Sequence, residues 1–329
     1  MPSNGLNILR QFFHITNSLV PSGFGSILQV HTPSIMTLKS FDNKTKTVYC
    51  SYKVPSHLCV ARCGGDGGDV GVKSLPLSVL MALFDDITTW PIIASDTSHR
   101  AGVSVFLSAE YTQPHTPLLP STVLTMEGTV MKLGNRFAFC EVEARDEMTG
   151  RLVAIGRHTK YLPMGVAYEF AFKYCMNLLE ALAISFGKFG KKNDEANARN
   201  ANENTSILDF CQINNSHNPT KNTLEATFKV LPHSRNPMGG LHGGCTAVLS
   251  ELAAEELVNG RKEKRKGSIM FLRQMSVTYA STGKGEVAIR AEKVESGKED
   301  DCDCTTAVKV LRVGKGGGLV SEGMLHWVK

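Results

Sequence analysis

Asn236-Pro-Met-Gly-Gly-Leu-His242-Gly243-Gly244-Cys245-Thr-Ala-Val-Leu-Ser-Glu251-Leu-Ala-Ala-Glu-Glu-Leu257 decides the reading of this chain. Glycines that open an apolar helix leave backbone N–H groups unpaired and aim the positive end of the helix dipole at whatever lies there. Glu251, further along the same helix, can face that space. A site for a developing oxyanion beside a water-activating carboxylate is what ester or thioester hydrolysis needs.

An altered copy of the stretch lies upstream. Leu75-Pro76-Leu77-Ser78-Val-Leu-Met-Ala-Leu-Phe-Asp85 aligns with Leu241-His242-Gly243-Gly244-Cys-Thr-Ala-Val-Leu-Ser-Glu251, and the acid keeps its place. Ser104-Val-Phe-Leu-Ser-Ala-Glu-Tyr111 echoes Leu272-Arg-Gln-Met-Ser-Val-Thr-Tyr279, and Arg151-Leu-Val-Ala-Ile-Gly156 echoes Gly318-Leu-Val-Ser-Glu-Gly323. The near-constant offset reads as a tandem duplication of one domain. Two copies do not make a solenoid.

On these residues, with Leu80-Met-Ala-Leu-Phe-Asp85-Asp-Ile-Thr-Thr, Gly102-Val-Ser104-Val and Thr149-Gly-Arg-Leu-Val-Ala-Ile-Gly-Arg-His-Thr-Lys-Tyr161-Leu, the first half resembles the acyl-CoA thioesterase 13 family (thioesterase superfamily member 2). The second half resembles the wider hotdog-fold thioesterase superfamily through Asn236, His242, Gly243 and Gly244. The resemblance implies an α+β double hotdog: two antiparallel sheets, each wrapped around a central buried helix, joined into one continuous sheet. It divides the chain into an N-terminal hotdog over 1–165, a helix and polar linker over 166–206, and a C-terminal hotdog over 207–329. It also implies hydrolysis of an acyl-CoA to free acid and CoA, with no cofactor and no metal.

Active sites in this superfamily form where two hotdogs meet. One site here would combine Asn236, His242 and Gly243 of the second half with Asp85 and Ser104 of the first. Gly243 N–H would receive the oxyanion, Asn236 would hold the carbonyl or the water, His242 would orient the turn, and Asp85 would act as general base or, less favoured, as nucleophile. Ser104 would position Asp85 or the water, and Asp86 reads as the helix's polar-side neighbour. The apolar helix around Asp85 is expected to raise its pKa. The other site would take Val70, Pro76 and Leu77 with Glu251 and Leu272. It lacks the Asn amide, a backbone donor and the hydroxyl, so it reads as degenerate. Gly244, Arg157, His158, Lys160, Arg261 and Lys264 are the expected substrate-binding residues.

Each of these residues alone has a plainer reading: Asp85 a capping acid, His242 a structural imidazole, Ser104 an ordinary strand residue. Only the joint match at these spacings favours a site. The runner-up functions are an acyl-ACP thioesterase and a non-catalytic acyl-CoA binder or sensor; a dehydratase is weaker, since no His-Asp pair opens the helix.

The 329 residues suffice for two cores, and a net charge of +5 disfavours a nucleic-acid partner while suiting an anionic ligand such as coenzyme A. No apolar run reads as a membrane span. Nine cysteines without framework spacing read as reduced thiols. His57, Cys59 and Cys63 could be metal ligands, but packing is favoured. Cys302-Asp-Cys304 is given no role. A cytosolic address is expected, with a mitochondrial one as the alternative because no acid precedes Asp42. A homodimer of the two-hotdog unit is a further expectation from relatives.

Along the chain, helices are predicted at 6–19, 75–90 and 168–189, and one opening after His242. Strands are predicted at 27–30, 47–54, 102–112, 121–132, 136–146, 151–161, 207–213, 223–231, 268–280, 285–295, 303–313 and 318–328. Residues 63–71 read as a glycine-rich loop, 191–204 as a solvated linker, and 261–266 as a basic run placed to meet a CoA phosphate.

Overall fold

A computed structural model describes residues 4–19, 23–30, 32–61, 72–163, 207–236, 239–260, 270–294, 303–314 and 317–329. The 63–71 loop with Val70, Cys63, the expected 168–189 helix, the 191–204 linker, Arg261 and Lys264 in the basic run, and Cys302 lie outside the described residues.

The helices are α1 (Asn4–Leu19), α2 (Phe24–Leu28), α3 (Leu77–Ser95), α4 (Ile207–Phe210) and α5 (Gly243–Asn259). The strands are β1 (Met36–Asp42), β2 (Thr47–Lys53), β3 (Val60–Ala61), β4 (Lys73–Ser74), β5 (Val103–Tyr111), β6 (Val123–Leu133), β7 (Phe137–Asp146), β8 (Leu152–Tyr161), β9 (Asn214–Thr220), β10 (Thr223–Lys229), β11 (Phe271–Tyr279), β12 (Glu286–Val294), β13 (Cys304–Arg312) and β14 (Leu319–Val328). Twelve of them form one sheet in the order β1-β2-β6-β7-β8-β5-β11-β14-β13-β12-β10-β9. Read from either edge, the order repeats: each strand of the first half has its counterpart at the same depth in the second. The halves join at β5–β11, an antiparallel pair in which Ser108 faces Ser276, matching positions of the two copies.

Alternation builds the core. Strand β7 buries Ala138, Cys140, Val142 and Ala144 at every second position and exposes the residues between. The inner faces pack on α3 and α5, which also pack on each other. Helix α3 is apolar on nearly every side and buried from Leu77 to Ile93 save for half-buried Asp86 and Thr89. By length and composition α3 could cross a bilayer, which the sequence reading missed; here it is a core helix.

Five departures from the predicted elements stand out. Residues 27–30 are not a strand, because Phe24, Ile27 and Leu28 bury one face of the short helix α2 at helical spacing. The 207–213 stretch is helical at its start, with Ile207 and Cys211 buried one turn apart. Strand β9 was not foreseen, since Asn-Asn-Ser-His-Asn-Pro-Thr carries no apolar alternation; it is an exposed edge. Strand β1 was likewise unpredicted. Helix α3 runs past Pro91 to Ser95, because burying Ile92 and Ile93 outweighs the backbone hydrogen bond that proline removes.

Candidate active site

Asp85 lies at the middle of α3, and its side chain is only 9% exposed. Three elements reach it. Ser104 on β5 donates its hydroxyl to Asp85 Oδ1 at 3.1 Å. Lys160 on β8 brings Nζ to 3.2 Å from the same oxygen, and His158, two residues back on the same strand face, brings Nε2 to 3.7 Å. No donor among the described residues engages Oδ2.

That second oxygen faces the start of α5. A Cβ built on Gly243 would lie 3.2 Å from Asp85 Oδ2 and 3.3 Å from Tyr279 Cζ. The first turn of a helix has unpaired N–H groups, and here they are distributed unequally. Gly244 N–H donates to His242 Nδ1 at 3.0 Å, so His242 is the helix cap. No acceptor among the described residues takes the Gly243 N–H. Tyr279 donates its hydroxyl to the Gly243 carbonyl at 3.1 Å and fixes the turn from β11.

The electrostatics overturn one expectation. Burial alone would raise the Asp85 pKa, but the Lys160 ammonium beside it holds it well below the usual carboxylate range. Burial, and after it the Lys160 charge, pushes the His158 pKa down to about 3, so the ring is neutral near pH 7. His158 Nδ1 lies 2.6 Å from Thr88 Oγ1, and its buried Nε2 has no hydrogen-bond partner among the described residues. Burial lowers His242 as well. Asp86 shows the opposite shift. Burial and then the Asp85 charge push it up to about 7, and its buried Oδ2 has no hydrogen-bond partner among the described residues.

The structure therefore brings Asp85, Ser104, His242 and Gly243 together across the seam between the two helices. Asn236 stands apart in the loop before α5. Its Oδ1 accepts the Gly240 N–H at 3.1 Å, and its own N–H donates to the Gly240 carbonyl at 2.7 Å.

The expected substrate-binding residues fall in different places. Arg157 sits on the opposite face of β8 from His158 and pairs with Glu141 in solvent, so it cannot reach the Asp85 site. Gly244 has already donated its N–H to His242, and a Cβ on it would strike Ala82 Cβ at 2.5 Å; it is the close-contact point of the two helices. His158 and Lys160 are buried with Asp85 rather than presented to a CoA phosphate. Thr88, Tyr279 and the Lys160 ion pair were missed as site parts. One signal was available: His158 and Lys160 alternate along a strand whose inward positions are otherwise apolar, and a buried lysine requires a buried acid.

The second seam has a different arrangement. Glu251 of α5 is 2% exposed, and its Oε2 accepts the Ser78 N–H at 2.8 Å. It thus caps α3 at the position equivalent to Gly244. Pro76, the residue before that helix, has no N–H to offer, and Leu77 and Leu272 are fully buried apolar residues. Tyr111, matching Tyr279, donates to the Leu75 carbonyl.

No family model matches the chain. Acyl-coenzyme A thioesterase 13 of Homo sapiens and of Pongo abelii are each 36% identical to it over 80 residues, 24% of this chain and 54% of each relative. The chain thus spans about half the length of the curated relatives it matches. Among solved structures, a protein with a hot dog fold from Alicyclobacillus acidocaldarius is similar with a TM-score of 0.51 at 9% identity, over 85% of this chain and 92% of the other. The 12:0-ACP thioesterase of Umbellularia californica is similar with a TM-score of 0.50 at 10% identity, over 86% and 97%. The chain is thus similar in sequence to acyl-coenzyme A thioesterase 13 over 80 residues, and it shares the hotdog fold over most of its length.

Proposed function

We propose that the chain is a double-hotdog acyl-CoA thioesterase with one working site, built from both halves, at the seam of Asp85 and Gly243. The division falls between the N-terminal hotdog, 1–165, and the C-terminal hotdog, 207–329. One observation carries the reading: an ionised, buried carboxylate oxygen faces the N–H-bearing first turn of a partner helix across a gap that one side-chain carbon would close.

In this reading the thioester carbonyl accepts the Gly243 N–H, and the dipole of α5 stabilises the charge that develops on its oxygen. The water sits against Asp85 Oδ2 and gives up its proton there as it attacks the carbonyl carbon. An aspartate held ionised is a weak base, so proton transfer comes late, when the attacking oxygen has become acidic. The tetrahedral intermediate then collapses with expulsion of the thiolate, which is a good leaving group and needs no strong acid. His242 acts by fixing the turn.

The identity to the acyl-coenzyme A thioesterase 13 proteins favours CoA as the carrier. Steady-state kinetics on acyl-CoA of increasing chain length, with the acyl-ACP series beside it, tests the proposal. Hydrolysis of acyl-CoA that Asp85→Asn abolishes supports it; hydrolysis of acyl-ACP alone would move the carrier; full activity in Asp85→Asn would end the mechanism.

A further inference from the structure

We propose that Lys160 is a positioning residue for this reaction: with the Ser104 hydroxyl it holds Asp85 Oδ1 and so leaves Oδ2 turned towards Gly243. The inference rests on the hydrolase reading and adds to it the group that sets the charge and orientation of the base.

The geometry starts from β8. His158 and Lys160 point inward, Arg157 and Tyr161 outward, as strand alternation requires. Lysine is almost never buried without a partner, and this one is 5% exposed. Its partner is Asp85, at 3.2 Å. A carboxylate has two oxygens and turns about its last bond. Two donors on one oxygen, from β5 and from β8, remove that freedom. The groups facing Asp85 are Ser104 of β5, His158 and Lys160 of β8, His242 at the start of α5, Tyr279 of β11, and Asp86 beside it on α3. Both imidazoles are neutral near pH 7, so Lys160 is the one cation among the described residues opposing the burial of Asp85.

Lys160→Gln keeps a donor, one bond shorter, and removes the charge; Lys160→Met removes both. Steady-state kinetics on an acyl-CoA substrate from pH 4 to 9 are the measurement. The unaltered protein should keep its kcat down to the lowest pH at which it stays folded. In the variants, burial is no longer opposed, so an acid limb should emerge at or above about 4, the ordinary carboxylate value, moved up by about 1–3 units. The loss should fall on kcat, with KM within about twofold. An acid limb that does not move, or a raised KM with intact kcat, overturns the role.

Removing one partner of a buried pair is strongly destabilising, so a control for unfolding is needed. The double variant Lys160→Met with Asp85→Asn removes both charges. It should fold and match the residual activity of Asp85→Asn alone; a further drop would mean that Lys160 acts on something other than Asp85, and overturns the proposal. An unaltered chain that hydrolyses no acyl thioester overturns the hydrolase reading and this role together, whereas an active one with an unmoved limb overturns only the role of Lys160.

Discussion

Helices α3 and α5 lie antiparallel beneath one sheet, each offering its first turn to the other's acid, yet the two seams have become opposites. At the first, the cap is supplied locally by His242, and Asp85 is held back by Ser104 and Lys160. Among the described residues no hydrogen bond joins Asp85 Oδ2 to the helix start. At the second, the longer Glu251 reaches the neighbouring helix and caps it. One methylene separates Asp from Glu, and here it separates an open acid from a helix cap. The acid of the second seam is tied to a helix N-terminus, and that hydrogen bond stabilises the start of α3.

The largest expected effect tests that comparison directly. Asp85→Asn should lower kcat by at least about 100-fold, the usual contribution of a positioned base. Glu251→Gln should leave kcat unchanged and cost about 1 kcal/mol of stability, since a neutral amide oxygen caps the helix less well. Equal losses of activity in both would mean two working seams. Gly243→Ala gives a matched test of the donor side. The methyl would meet Asp85 Oδ2 and fill the gap, so kcat should fall by roughly 100-fold while the melting temperature holds.

One residue along, space and not chemistry decides. Gly244→Ala would press a methyl into Ala82, part the helices and cost about 2–3 kcal/mol in a denaturant melt. The matching residue across the seam is already larger. Ser78 is buried and its Oγ has no hydrogen-bond partner among the described residues, so Ser78→Ala should be neutral or slightly stabilising. A large loss from Ser78→Ala, or none from Gly244→Ala, would show that the seams pack alike.

The sequence made the sheet strands of β5 to β8 and β10 to β14 legible, because apolar residues alternate and turns punctuate them. The pairing of Asp85 with Gly243 came from the family resemblance, in which sites form where two hotdogs meet, applied to the aligned acids and helix openings of the two copies. What the sequence could not give was direction within the site. The depressed pKa of Asp85 depends on Lys160, 75 residues away in sequence and 3.2 Å away in space. Nor could it tell that Glu251 reaches Ser78, because spacing along α5 places the acid near the helix start of its neighbour without saying which N–H it takes. Helix α2 and strand β9 were missed for a local reason: one is too short to show its period, the other has no apolar face to show.

The smallest effect concerns the residue after each acid. The second seam follows Glu251 with Leu252, whereas the first follows Asp85 with a second carboxyl, Asp86. Two adjacent acids in a half-buried place cannot both ionise freely, and Lys160 favours Asp85. Their contributions to stability then run in opposite senses with pH. Asp85, depressed in the folded protein, stabilises above the unfolded value of about 4, and that contribution is lost as pH falls below it. Asp86, raised to about 7 when folded, binds its proton more tightly in the folded state between about 4 and 7. The Asp86 contribution therefore declines as pH rises through that window and levels off above it. Asp86→Asn removes that contribution. With solvent screening of the half-buried carboxyl allowed for, it should leave stability near pH 4.5 unchanged and raise it at pH 8 by about 1 kcal/mol, read from denaturant melts at the two pH values. A gain of the same size at both would trace the cost of Asp86 to packing and not to its charge.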